Sequence, residues 1–213
     1  MPRNVLFVFF TLLLGVALGH ADSIGPSCAT CQGSIYTLTV VSVTTGATND
    51  TVVVRYDIDT SGYNGGGTYI DEVALKISPS VVSATLLAAP GGLGNWSSPL
   101  TGGGIDANGC SGSGSGFECA DAKSVTQGAL VGGATPLSWL FEIVIPTGTL
   151  FSDGTETVKA RYVDPAGNKV GALVSEDIHV PEPSGAALLG MGLLAMGMVV
   201  GGRAWARKMP ARI

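Results

Sequence analysis

The chain has 213 residues, of which 46% are hydrophobic and only 13% charged, with 32 glycines and a formal charge of −5. That apolar content excludes a disordered chain. The charge balance excludes a nucleic-acid binder, which needs clustered Lys and Arg to displace counterions.

The opening stretch, MPRNVLFVFFTLLLGVALGHAD, has three parts. Arg3 gives a positive start, residues 5–18 form an apolar run, and Gly19-His20-Ala21 supplies a small-x-small cleavage site. This pattern predicts a secretory signal peptide over residues 1–21, cut after Ala21. An uncleaved anchor would need a longer apolar run. The remaining body, residues 22–180, holds six basic residues against fifteen acidic ones, a formal balance of −9.

Along the body the periodicity is that of strands. In DTVVVRYDIDT, Val52, Val54, Tyr56 and Ile58 fall on one face and Val53, Arg55 and Asp57 on the other. YIDEVALKISPS sets Val73, Leu75 and Ile77 against Glu72, Ala74 and Lys76; PLSWLFEIVIPTG aligns Trp139, Phe141, Ile143 and Ile145. TETVKARYVDP opposes Val158, Ala160 and Tyr162 to Lys159 and Arg161. In SIYTLTVVSVTT, Tyr36, Leu38 and Val40 are in phase but Val41 and Val43 are not, which predicts a bulge. Turn-forming stretches such as TGATND, TSGYNGGGT and DPAGNK separate these runs. Helical periodicity is confined to a single turn near residues 120–127. The pattern predicts an all-β fold, one antiparallel β-sandwich of eight or nine strands with a jelly-roll or immunoglobulin-like arrangement.

Two cysteine-bearing loops stand out. SCATC places Cys28 and Cys31 near the start of the body, and CSGSGSGFEC, almost all Gly and Ser inside, runs from Cys110 to Cys119. Four cysteines allow three pairings. In an oxidising compartment the expected bridges are Cys28–Cys31 and Cys110–Cys119, worth about 2 and about 3 kcal/mol by loop entropy. A redox pair would require an α/β setting, and a zinc site would require the two loops to converge.

The chain closes with VPEPSGAALLGMGLLAMGMVVGGRAWARKMPARI. Residues 184–202 carry no charge and, as a helix, reach about 28 Å, the thickness of a bilayer core. This predicts one transmembrane helix. Arg203, Arg207, Lys208 and Arg212 follow as a basic tail over 203–213, which the positive-inside rule places in the cytoplasm. Before the span, Pro181-Glu182-Pro183 holds the chain extended, because each proline fixes its own φ and biases the residue before it.

Triplet, span and basic terminus together resemble the PEP-CTERM sorting signal of Gram-negative bacteria, a tail also labelled the ice-binding protein C-terminal motif. The resemblance covers residues 181–213. It implies an exported protein held transiently in the inner membrane, processed near the triplet by an exosortase-type enzyme, and delivered to the envelope, surface or extracellular matrix. Such tails accompany exopolysaccharide and biofilm or floc. Ice binding itself would need a flat threonine array, which Thr37, Thr39, Thr44 and Thr45 do not make.

Chemistry is sparse. Of two histidines, His20 leaves with the signal peptide and His179 sits beside the triplet, so a histidine-based triad is not expected. Asp57, Asp59, Asp71 and Glu72 are the carboxylates a hydrolase would draw on, but strand alternation and turn propensity read them as solvated. With Asn64, the aspartates Asp57, Asp59 and Asp71 also flank a glycine-rich loop of the oxygen-rich kind that binds calcium, but the spacing matches no EF-hand pattern; turn chemistry is the simpler reading, and no metal or cofactor is expected. Tyr63, Tyr69 and Trp96 are candidate ligand contacts, able to stack on sugar rings if they stay in loops. The expected function is therefore a non-catalytic structural or adhesive role, with extracellular polysaccharide as a partner. A carbohydrate-binding module with a defined sugar site is the alternative, and a carboxylate-based hydrolase the third.

Overall fold

The computed structural model describes residues 21–97, 100–106, 109–151 and 156–178. The expected signal peptide up to residue 20, Pro181, Glu182 and Pro183, the expected 184–202 span, and Arg203, Arg207, Lys208 and Arg212 lie outside the described residues. Contacts divide the chain into Met1–Val180 and Pro181–Ile213, and all the described residues belong to the first unit.

Among the described residues there are eleven strands, two short 3-10 turns and no α-helix. The strands are β1 (Ala21–Ile24), β2 (Ile35–Thr44), β3 (Asn49–Asp59), β4 (Tyr69–Lys76), β5 (Ser83–Ala88), β6 (Leu100–Asp106), β7 (Gly109–Asp121), β8 (Ala129–Leu130), β9 (Leu137–Pro146), β10 (Glu156–Val163) and β11 (Val174–Ile178). All pairings are antiparallel. One sheet runs β1-β2-β3-β9-β5 and the other β11-β10-β4-β7-β6, with β8 added to β4. Ala21, the residue before the expected cut, pairs with Thr39, so a cut after it leaves Asp22–Ile24 of β1 in place.

Period-two alternation builds the core. Val52, Val54, Tyr56 and Ile58 of β3 and Trp139, Phe141, Ile143 and Ile145 of β9 are all fully buried. They share one cluster with Val73, Leu75, Val158, Ala160 and Tyr162 of the other sheet, so the two sheets pack face to face. Each such large apolar side chain stabilises the fold by roughly 1.5–3 kcal/mol. Among the described residues, every buried member of this cluster lies between Cys31 and Ile178.

Two bulges adjust the faces. The expected one in β2 falls between Val40 and Ser42, where the register against β3 shifts. A second falls in β4: Arg161 of β10 pairs with Glu72 but Tyr162 pairs with Ile70, leaving Asp71 as the extra residue. Ile70 and Val73 therefore both point inward, and Asp71 and Glu72 both turn to the outer face.

The strand count exceeds the expected eight or nine chiefly because glycine-rich segments pair. The stretch between Cys110 and Cys119 is not a loop but most of β7, in a hairpin with β6. A straight strand would hold these cysteines about 30 Å apart, yet their Cα atoms are 5.7 Å apart in a disulfide. β7 therefore doubles back, and the hairpin tip folds over the outer face of the second sheet. There Ile105 and Cys110 pack with Ala74, Phe117 and Cys119 in a small separate cluster. Two close approaches hold it down. Gly116, at φ +79°, would drive a Cβ to 2.2 Å from the Ser78 carbonyl, and Gly109, at φ +120°, would drive one to 2.7 Å from Glu72 Oε1.

Most long connections gather at one end of the two sheets. Asn64 N–H donates to the Gln32 carbonyl, Gly132 N–H to Thr60 Oγ1, and Gln32 Nε2 to the Ala172 carbonyl. The other end carries the β2–β3, β4–β5 and β9–β10 links, tied by Thr147 N–H to Thr48 O and Phe151 N–H to Ile77 O. β11 ends there, opposite Glu156 of β10.

Candidate functional site

The three aromatic residues expected to meet ligand do not form a platform. Trp96 is a correction: it is 3% exposed, edge-on to Trp139 at 5.4 Å, and its Nε1–H donates to the Pro90 carbonyl at 2.9 Å. Its backbone also bridges to Ala122, so the ring plugs the core from a loop and has no face left for a sugar. Tyr63 is half-buried and stacks on Tyr162 with centroids 4.5 Å apart. Its hydroxyl accepts from Gly67 N–H at 2.9 Å. Tyr69 opens β4, half-buried, between Val163 and Leu130 on neighbouring strands.

Behind Tyr63 lies a buried hydroxyl network. Tyr162 donates to Ser34 Oγ at 3.0 Å, and its oxygen sits 2.8 Å from that of Tyr36, which donates to the Cys31 carbonyl. Burial pushes the Tyr162 hydroxyl up to about 12 and that of Tyr36 higher still. These phenols keep their protons and tie the first loop to the core.

Both cysteine pairs are closed, Cys28–Cys31 and Cys110–Cys119, and no cysteine is free. The Cys28–Cys31 loop is pinned across the molecule. Thr30 donates through both its N–H and its hydroxyl to Glu176, and Gln32, held at φ +50°, bridges Ala172 and Tyr63.

The carboxylates separate into two kinds. Asp57 is half-buried and takes a 2.8 Å hydrogen bond from the exposed Arg55 Nε; Asp59 accepts from Ser61 N–H, which lowers its pKa. Asp71 and Glu72 depart from the expected solvated role, at 4% and 2% exposed. The β4 bulge aims both at Arg161, whose Nε and Nη2 reach Asp71 at 3.1 and 2.7 Å and whose Nη2 reaches Glu72 Oε1 at 2.6 Å. The hairpin tip at Gly109 then closes over Glu72, whose Oε2 is buried with no hydrogen-bond partner among the described residues.

One guanidinium faces several acids here. Burial, partly offset by Arg161 and reinforced by Asp71, Asp121 and Asp106, pushes the Glu72 carboxyl up to about 8. Burial and then Asp71 also raise Asp121. Arg161 is committed through two hydrogen bonds to Asp71, so Glu72 carries its proton at neutral pH. Among the described residues no group of three or more His, Cys, Asp or Glu is placed to hold a metal ion. Asp57, Asp59, Asn64 and Asp71, grouped by sequence around one loop, have separate partners: Arg55, Ser61, the Gln32 carbonyl (through the Asn64 backbone) and Arg161.

A different grouping escaped the sequence reading. On the same outer face, Lys159 Nζ lies 4.3 Å from the Phe117 ring centroid and Lys76 Nζ 5.7 Å from it. Lys76 Nζ is also 5.9 Å from the Phe151 centroid. Alternation alone put Lys76 and Lys159 on outer faces; it could not show that both meet one ring, because that ring sits in the glycine-rich strand. Comparison with known proteins finds no matching family model, no matching curated protein and no matching solved structure.

Proposed function

We propose that this is an exported, non-catalytic β-sandwich protein, sorted through its C-terminal tail and acting as a structural or adhesive component outside the cell. In this reading the signal peptide exports the chain and residues 184–202 hold it in the inner membrane. Pro181, Glu182 and Pro183 present an extended segment to an exosortase-type enzyme, and the processed body joins the envelope or an extracellular polysaccharide matrix.

The observation that carries the reading is the cysteine usage. All four thiols are consumed in two local bridges inside the body that the two terminal signals bracket. Bridges of this kind persist in oxidising compartments and suit a protein working outside the cytosol. Three of the carboxylates support the non-catalytic half: Asp57 and Asp71 are committed to a guanidinium and Asp59 to a turn N–H.

The test is on the tail. Removing residues 181–213 is expected to release a soluble, folded, disulfide-bonded body, measured by fractionation and intact mass. Replacing Pro181, Glu182 and Pro183 with alanines is expected to leave the full-length form in the membrane. A triplet variant that still yields the processed product defeats the sorting reading while leaving the anchor intact.

A further inference from the structure

The body carries six basic residues, and four have polar partners. Arg55 holds Asp57, and Arg161 holds Asp71 and Glu72. Lys123 Nζ donates to the Gly94 carbonyl at 2.9 Å, and Lys169 Nζ to the Gly171 carbonyl at 2.6 Å. Lys76 and Lys159 have no carboxylate or carbonyl acceptor among the described residues. They converge instead on Phe117.

The sheet register explains the convergence. Lys76 lies opposite Thr157 and Lys159 opposite Ala74, so the two lysines are diagonal neighbours on β4 and β10. Diagonal Cβ atoms stand about 7–8 Å apart, within reach of long side chains. Phe117 lies directly opposite Lys76 on β7. Two like charges are thus drawn together over an apolar ring, in a body whose formal balance is −9. Partial burial, and then the charge of Lys76, lower the Lys159 pKa. Of its diagonal acidic neighbours, Asp177 on β11 accepts from the Thr157 hydroxyl at 2.8 Å and Glu72 on β4 is held by Arg161.

We propose that Lys76 and Lys159, with Phe117 and Phe151, form a binding site for the carboxylate-bearing sugars of an acidic polysaccharide. The inference rests on the polysaccharide reading above and names the polymer class and the site. A uronate carboxylate between the two ammonium groups relieves their repulsion with charge-assisted hydrogen bonds. Phe151, half-buried beside them, offers an apolar face for the sugar ring. The acidic excess elsewhere works against any extended polyanion, so recognition rests on the one carboxylate and sugar ring held at this pair.

The test uses residues 22–180, which lie in one compact unit and hold both disulfides, in native gels cast with polygalacturonate or with neutral dextran. Retardation by polygalacturonate alone is expected. It should weaken at least about tenfold in the double variant Lys76→Gln/Lys159→Gln, and return with Lys76→Arg/Lys159→Arg, as charge-dependent recognition requires. Lys123→Gln should bind as the parent does. Should the double variant fold poorly, acetylation footprinting of the parent protein answers the same question, with Lys76 and Lys159 protected by polygalacturonate and Lys123 not.

Undiminished binding by a folded double variant, or no protection of the two lysines, overturns the site and leaves the polysaccharide reading standing. Binding to neither polymer overturns both. Capture by phosphatidylglycerol vesicles through the same lysines, without polygalacturonate binding, overturns the proposal in favour of a phosphate surface.

Discussion

The outer faces of the two sheets use the same chemistry in opposite settings. On the first sheet Arg55 and Asp57 meet in the open, with side chains 49% and 21% exposed. On the second, Arg161 meets Asp71 and Glu72 with the three side chains 13%, 6% and 3% exposed. The difference is the cover. The first pair lies on a bare sheet, and the second lies under a disulfide-closed hairpin. Water screens an exposed pair to near neutrality in energy, whereas a covered pair is costly to form and more costly to break.

The largest effect should come from removing the covered cation. Arg161→Ala leaves Asp71 buried without its guanidinium, and a loss of about 3 kcal/mol is expected on breaking such a pair. Urea unfolding at neutral pH measures it. A loss comparable to that of an exposed pair would show that the hairpin does not exclude water from the second sheet.

A smaller, pH-dependent effect separates the faces in another way. Folded Glu72 keeps its proton up to about pH 8, whereas its unperturbed value is 4.5. Between these limits the folded state binds more protons than the unfolded state. Glu72 therefore contributes stability that is fully present below pH 4.5 and falls as pH rises, until it is gone above about pH 8. The slope inside that window approaches about 1.4 kcal/mol per pH unit. Glu72→Gln, neutral at every pH, should flatten this part of the urea-midpoint profile. An unchanged slope in that variant would mean that Glu72 is open to water and the hairpin tip does not cover it.

How much of this was legible in sequence follows from where the information sits. β3, β9 and β10 were readable because Val52 to Ile58, Trp139 to Ile145 and Val158 to Tyr162 write the period of two in large side chains. The β2 bulge was readable for the same reason, as a break in phase at Val41. The β6–β7 hairpin was not, since glycine and serine carry no periodic signal and the pairing rests on backbone alone. Asp71 and Glu72 looked solvated because alternation reports a residue's own strand, while their cover arrives from more than thirty residues later, Gly109 over Glu72 and Gly128 beside Asp71. A faint signal was present: Ile70 and Val73, both apolar and three apart, break the alternation and mark the bulge. Trp96 misled for a related reason. Its loop is recognisable from PGGLGN, but a loop residue that folds back onto Trp139 looks in sequence like one that points out.

The smallest effect is also the sharpest control. Arg55→Ala removes an equally short contact, 2.8 Å from Nε to Oδ2, but on the uncovered sheet. Both partners lie two residues apart on β3, with side chains free to solvate separately, so the change should cost no more than about 1 kcal/mol. The same urea series reads it, at low and at high salt. Salt should erase what little there is, because exposed charges are screened within about 10 Å at 0.1 M ionic strength. The Arg161→Ala loss should persist under the same salt, since the hairpin keeps mobile ions from the pair. If the two variants respond alike to salt, the covering of the second sheet has no energetic consequence, and the difference between the faces reduces to geometry.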